Sequence, residues 1–178
     1  EAIANETLAR DTAWRFLMLG RRIERAQHLV FLARHLLGGL GAPAGAGPSE
    51  FRLQSVLHFA ESLFSYRTTY HGVFQPALVL AWLFSAAENP RGLRFLAEQI
   101  HDHLGQLPDE LAPRVVSGLR TLAFRLVSRV RLLDAPALVT TPGQAAAFFH
   151  ETQATLADLS DRITEVYFTH AETPTGRR

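Results

Sequence analysis

An all-α, antiparallel bundle of about six helices is the fold this sequence predicts. Apolar residues recur at helical spacing along most of the chain, and strand-like alternation never persists beyond a few residues. Short stretches rich in Gly and Pro separate the helical segments. With 178 residues, 47% of them hydrophobic and 20% charged, the chain suits a single domain spanning residues 1–178. A chain of that size buries about 70% of the surface its unfolded form exposes.

The first helix is expected over about Leu8 to Leu37. It ends in the connector "GGLGAPAGAGPS", residues 38–49, which has the composition of a flexible link. Ser49 then caps a second helix, whose apolar positions Leu53, Val56, Leu57, Ala60, Leu63 and Phe64 carry it to about Tyr70. Pro76 opens a third helix, "PALVLAWLFSAA", apolar nearly all round and therefore expected at the centre. Asn89 and Pro90 read as N-cap and first residue of a fourth, running to about Leu104. A fifth spans about Glu110 to Leu133, until Pro136 stops it, and Thr141–Pro142 starts the sixth. Its stripe is Ala145, Phe149, Thr152, Leu156, Leu159, Ile163 and Val166. Short connections of this kind favour antiparallel neighbours.

The first helix carries the polar anomaly. Phe16, Leu19, Ile23, Ala26, Val30, Ala33 and Leu37 share one face, while Trp14, Leu17, Arg21, Glu24, His28, Phe31 and His35 share the other. Charges bracketed by Trp, Leu and Phe predict a helix packed on both sides, with Glu24 buried against an arginine of another helix, Arg67 or Arg91 first. The cluster reads either as a structural ion pair or as the polar floor of a cleft, where arginine offers a fixed fork of donors to a carboxylate or phosphate. Gly20 beside it predicts close approach of another backbone or a ligand. Tyr66, Arg67 and Tyr70 form a matching surface on the second helix. Arg91 lies in a helix's first turn, where the dipole disfavours positive charge unless an anion compensates it.

Composition excludes several chemistries. There is no cysteine, hence no disulfide and no thiolate site, which fits a cytoplasmic protein. All eighteen basic residues are Arg, so no Schiff-base or phosphate-loop lysine exists in this chain. A net charge of +1 makes no general call on nucleic acid, and no apolar run is long enough to span a membrane. The first residues already read as helix with no signal segment, so the chain is expected to be part of a longer one. No metal or other cofactor is expected: Glu98–His101 is a single Glu-x-x-His copy, where di-iron bundles need two plus further glutamates. Glu24 and His28 lack a third ligand. No nucleophile–base pair can be named.

The blocks "DTAWRFLMLGRRIERA", "LFSYRTTY", "ENPRGLRFL" and "LSDRITEVYFTH" together resemble the alpha-E domain, a bacterial helical family. The family's earlier Gly-Arg-x-x-Glu-Arg block is missing, so the resemblance implies the C-terminal portion of a longer domain. Gly92 stands where the family usually has Ser, which puts a hydroxyl role there in doubt. The family's motifs fall on Trp14, Gly20, Arg21, Glu24, Arg25, Tyr66, Arg67, Asn89, Pro90 and Arg91. Such domains accompany circularly permuted ATP-grasp ligases. The resemblance therefore implies an accessory module of an amide-forming system, with an ATP-grasp domain as partner and a peptide or carboxylate as ligand. The candidate binding set is Arg21, Glu24, Arg25, Tyr66, Arg67, Tyr70 and Arg91. The alternatives are an enzyme using Glu24 as acid/base and a scaffold bundle with no ligand.

Overall fold

The computed structural model describes residues 12–42, 47–107 and 113–167. Among them are eight α-helices and no strand. They are α1 (Thr12–Leu36), α2 (Glu50–Phe59), α3 (Leu63–Tyr70), α4 (Pro76–Leu80), α5 (Leu93–Gly105), α6 (Pro113–Arg131), α7 (Ala135–Thr140) and α8 (Gln144–Tyr167). A π-helical turn, Ala81–Ser85, continues α4.

The four long helices close a ring in chain order, α1 against α5, α5 against α6, α6 against α8 and α8 against α1. Cross-links show the alternating directions. Trp14 and Arg22 of α1 meet His103 and Gln99 of α5 respectively, so those two helices run opposite ways. The stripe expected on α1 is the buried one: Leu19, Ile23, Ala26, Val30, Ala33 and Leu37 are all at most 4% exposed. Leu119, Leu126 and Val130 of α6 face it across the core with Phe149, Leu156 and Leu159 of α8. Arg120 of α6 donates to the carbonyls of Leu104, Gly105 and Leu107. It thereby satisfies the orphan acceptors that end α5 and places positive charge at the negative pole of that helix.

The element count exceeds the expected six for two local reasons. The second helix breaks at Ala60–Ser62, where Glu61 adopts φ +52°. The stretch after Leu133 is a further helix, because the Asp134 side chain accepts the Ala137 N–H at 3.0 Å as an N-cap, with Pro136 in the first turn. The Asn89–Pro90 cap also needs correction. Helix α5 starts at Leu93 with Gly92 as N-cap, and residues 90–91 form a turn. Asn89 is fully buried and donates to the Trp82 carbonyl at 3.0 Å, one of the acceptors left over where the π-turn ends. In the connector, Gly41 donates to the Val139 carbonyl at 2.9 Å and adopts φ +77°. A Cβ there would meet the Thr141 carbonyl oxygen at 2.7 Å, so only glycine fits. Of the connector expected to be flexible, residues 43–46 lie outside the described residues.

Candidate functional site

Two helix ends and one turn enclose a cleft of about 190 Å³ beside the second half of α1. Its walls are Arg25, His28, Leu29 and Leu32 of α1, Phe59 to Glu61 at the end of α2, Pro90 and Arg91 of the turn, and Leu96 of α5. At the mouth, Arg91 Nη1 pairs with Glu61 Oε2 at 2.8 Å, with the two side chains 39% and 65% exposed. Both ends of that pair are set by buried groups. Ser62 and Asn89 are fully buried, and their side chains lie 3.3 Å apart, Asn89 Nδ2 donating to Ser62 Oγ. Asn89 Oδ1 in turn accepts the Arg91 backbone N–H at 3.0 Å. The helix break and the turn are thus latched together, and the latch faces Arg91 toward Glu61. The αL conformation of Glu61 belongs to the same arrangement, its N–H returning to the His58 carbonyl at 3.0 Å.

The expected cluster is divided. Arg25 and Arg91 come together in the cleft with Pro90, and Asn89 braces it from behind. Glu24 points elsewhere. It is exposed and makes no ion pair or hydrogen bond to any described residue, so the expected burial against Arg67 or Arg91 does not occur. The cause is that α1 is packed on one side only: Leu17 and Phe31, the residues that suggested a second apolar layer, are 38% and 47% exposed. Arg21 is half-buried and does not line the cleft. Gly20 faces open space, with nothing within 4 Å of an added Cβ, so no close approach explains it.

Tyr66, Arg67 and Tyr70 sit apart from the cleft. Tyr66 is a core residue, fully buried, its hydroxyl donating to the Val73 carbonyl at 2.6 Å while its ring stacks on Phe74. Burial pushes its phenol pKa up. Tyr70 packs edge-on against Trp82. Arg67 lies over the Phe74 ring at 5.7 Å and donates to Gln54 at 3.3 Å. Trp14 packs edge-on against His103 at the far end of α1.

Glu98 is no metal ligand in this arrangement. Arg131 and Arg94 hold it at 2.7 Å and 3.1 Å, tying α6 to α5. Partial desolvation raises the pKa of its carboxyl, but the two arginines outweigh that and leave it lowered. Among the described residues no group of three His, Asp or Glu side chains is placed to hold a metal. Sequence reasoning missed His28, Phe59 and Glu61 as walls of the cleft. His28 shares the polar face of α1 with Glu24 but carries no signal of its own for a cleft, and the helix break that brings Phe59 and Glu61 in carries no Gly or Pro signal.

A family model described as "a predicted alpha-helical domain with a conserved ER motif", Alpha-E, matches residues 1–168. The chain belongs to the Alpha-E family. The chain's only Glu–Arg dipeptide is Glu24–Arg25, of which Arg25 lines the cleft and Glu24 faces solvent. Similar proteins include the uncharacterized proteins Rv2567 of Mycobacterium tuberculosis and Mb2597 of Mycobacterium bovis, each 26% identical over 166 residues. The match covers 91% of this chain and 18% of theirs, so the chain spans under a fifth of the length of these relatives. No solved structure matches this Alpha-E chain. No helix among the described residues is long and apolar enough to cross a membrane.

Proposed function

We propose that this Alpha-E chain is an accessory module of a bacterial, cytoplasmic ATP-grasp amide-ligase system, and that it holds a carboxylate-bearing peptide or partner segment in the Arg25–Arg91 cleft. One observation carries the reading. The arginine of the chain's Glu–Arg pair and the arginine of the Asn-Pro-Arg block, 66 positions apart in sequence, line the same small cavity over apolar walls. Two guanidinium groups above Leu29, Leu32, Phe59 and Leu96 suit an apolar residue carrying a carboxylate.

Titrating the 178-residue chain with short peptides ending in leucine, followed by calorimetry, tests the reading. Saturable binding that Arg25→Gln or Arg91→Gln weakens at least about tenfold, with the melting temperature kept, is the expected result. Binding that both substitutions leave unchanged would defeat the cleft. The enzyme alternative gains no support from the geometry, since Glu24 does not line the cavity.

A further inference from the structure

We infer that the cleft's ligand is zwitterionic, an apolar amino acid or a short peptide that brings a free ammonium as well as its carboxylate. The inference rests on the carboxylate-binding reading above and adds the second charge. It begins from Glu61. Arg91 is not a bare anion site, because its Nη1 already pairs with Glu61 Oε2 at 2.8 Å. A ligand carrying only a carboxylate would bring a second carboxylate beside Glu61, an arrangement that disfavours both charges. A zwitterion meets no such conflict. Its carboxylate takes the guanidinium of Arg91, Arg25 adds a second positive wall, and its ammonium takes the released carboxylate of Glu61. Exchange of one ion pair for two is easy here because the Arg91 and Glu61 side chains are both partly solvated, 39% and 65% exposed.

The position of Glu61 has the marks of a placed group. It is one of only two non-glycine residues with positive φ among the described residues, at +52°. Strain of this kind persists only where the surroundings impose it. The end of α2 imposes it here, the Ser62 N–H returning to the Leu57 carbonyl at 2.8 Å, and the Asn89 side chain ties Ser62 to the backbone of Arg91. The size of the cavity agrees. At about 190 Å³ it is smaller than sites for drug-sized ligands, roughly 300–1,000 Å³, and suits about one residue.

Leucyl-leucine, its N-acetyl derivative and its C-terminal amide, each titrated calorimetrically into the 178-residue chain, test the inference. The free dipeptide should bind at least about tenfold more tightly than either derivative, since each blocks one charge pair. Glu61→Gln should remove the preference for the free amine and leave the preference for the free carboxylate. Arg91→Gln should do the reverse. Glu61 is exposed enough that its variant is expected to fold, and circular dichroism confirms that for both. If the N-acetyl dipeptide binds as well as the free one, the zwitterion inference fails while the carboxylate cleft stands. If no compound with a free carboxylate binds to the folded chain, both fail together.

Discussion

Two arginine–glutamate clusters, one on α5 and one at the turn before it, are built from the same groups to opposite ends. In the Arg94–Glu98–Arg131 cluster one carboxylate is shared by two guanidinium groups from two helices, and Arg94 also donates to the Ser85 carbonyl at 3.2 Å. Glu98 is only 29% exposed and its pKa is lowered, so the cluster acts as a tie between α5, α6 and the π-turn. In the cleft, Glu61 and Arg91 make a single exposed pair at the edge of a cavity. The difference lies in what surrounds the charges. Where one carboxylate is shared by arginines of two packed helices, the ion pairs hold those helices together; where a single pair stands over a cavity with apolar walls, it is exchangeable.

The substitution with the largest expected effect acts behind the cleft. Asn89→Leu removes the donors and acceptor that satisfy the Trp82 carbonyl, Ser62 and the Arg91 N–H. It should cost about 2–4 kcal/mol in urea unfolding, because polar groups that remain buried lose their partners. Unchanged stability would mean that the latch is not what holds the turn.

Glu98→Gln comes next, at about 1–2 kcal/mol for charge-assisted bonds on a partly solvated group. Its pH dependence has a definite sign. A carboxyl whose pKa is lowered on folding binds fewer protons in the native state, so its contribution is present above the unfolded value of 4.5 and is lost as pH falls through the lowered native value. The wild-type chain should therefore lose stability more steeply than Glu98→Gln below about pH 5. Parallel curves would deny the network its charge.

His103 gives a gentler slope in a higher window. It is 7% exposed, neither ring nitrogen has a hydrogen-bond partner among the described residues, and burial followed by the Arg22 and Arg15 charges lowers its pKa against the opposing pull of Asp102. The unfolded chain then binds the extra proton, so stability should be complete above the ordinary value of 6.5 and decline as pH falls below it. His103→Leu should flatten that decline in thermal melts between about pH 7.5 and 5.5.

Smaller still is Gly20→Ala. The site is helical and open, so the change should raise stability by about 0.5–1 kcal/mol. Loss of stability would show a contact that the open space around Gly20 does not suggest. Glu61→Gln should move stability by no more than about 0.5 kcal/mol, the range of an exposed pair. A cost equal to that of Glu98→Gln would erase the distinction between the two clusters.

The fold class and the buried stripes of α1 and α8 follow from sequence alone. The α1 stripe Leu19, Ile23, Ala26, Val30, Ala33 and Leu37 is buried as its spacing requires. Helical periodicity is a local property, and burial of an apolar stripe follows whatever partner covers it. The Asp134 cap and Pro136 also carried the signal for α7, although proline there reads as a stop unless the cap is noticed.

What only the tertiary structure decided is which of two polar readings applies to each residue. Spacing placed Glu24 and Phe31 together on one face of α1, but whether a second layer covers that face depends on where α2 and α3 pack. Those helices leave it exposed. Likewise "ENPRG" has the composition of a helix start, yet Asn89 is drawn inward to the carbonyl that the π-turn leaves unpaired. Its side chain satisfies a distant acceptor instead of its own helix. The chain alone determined the helices and their buried faces, because those depend on neighbours three and four residues away. The cleft depends on Arg25, Glu61 and Arg91 meeting from three separate segments, and only packing sets that distance.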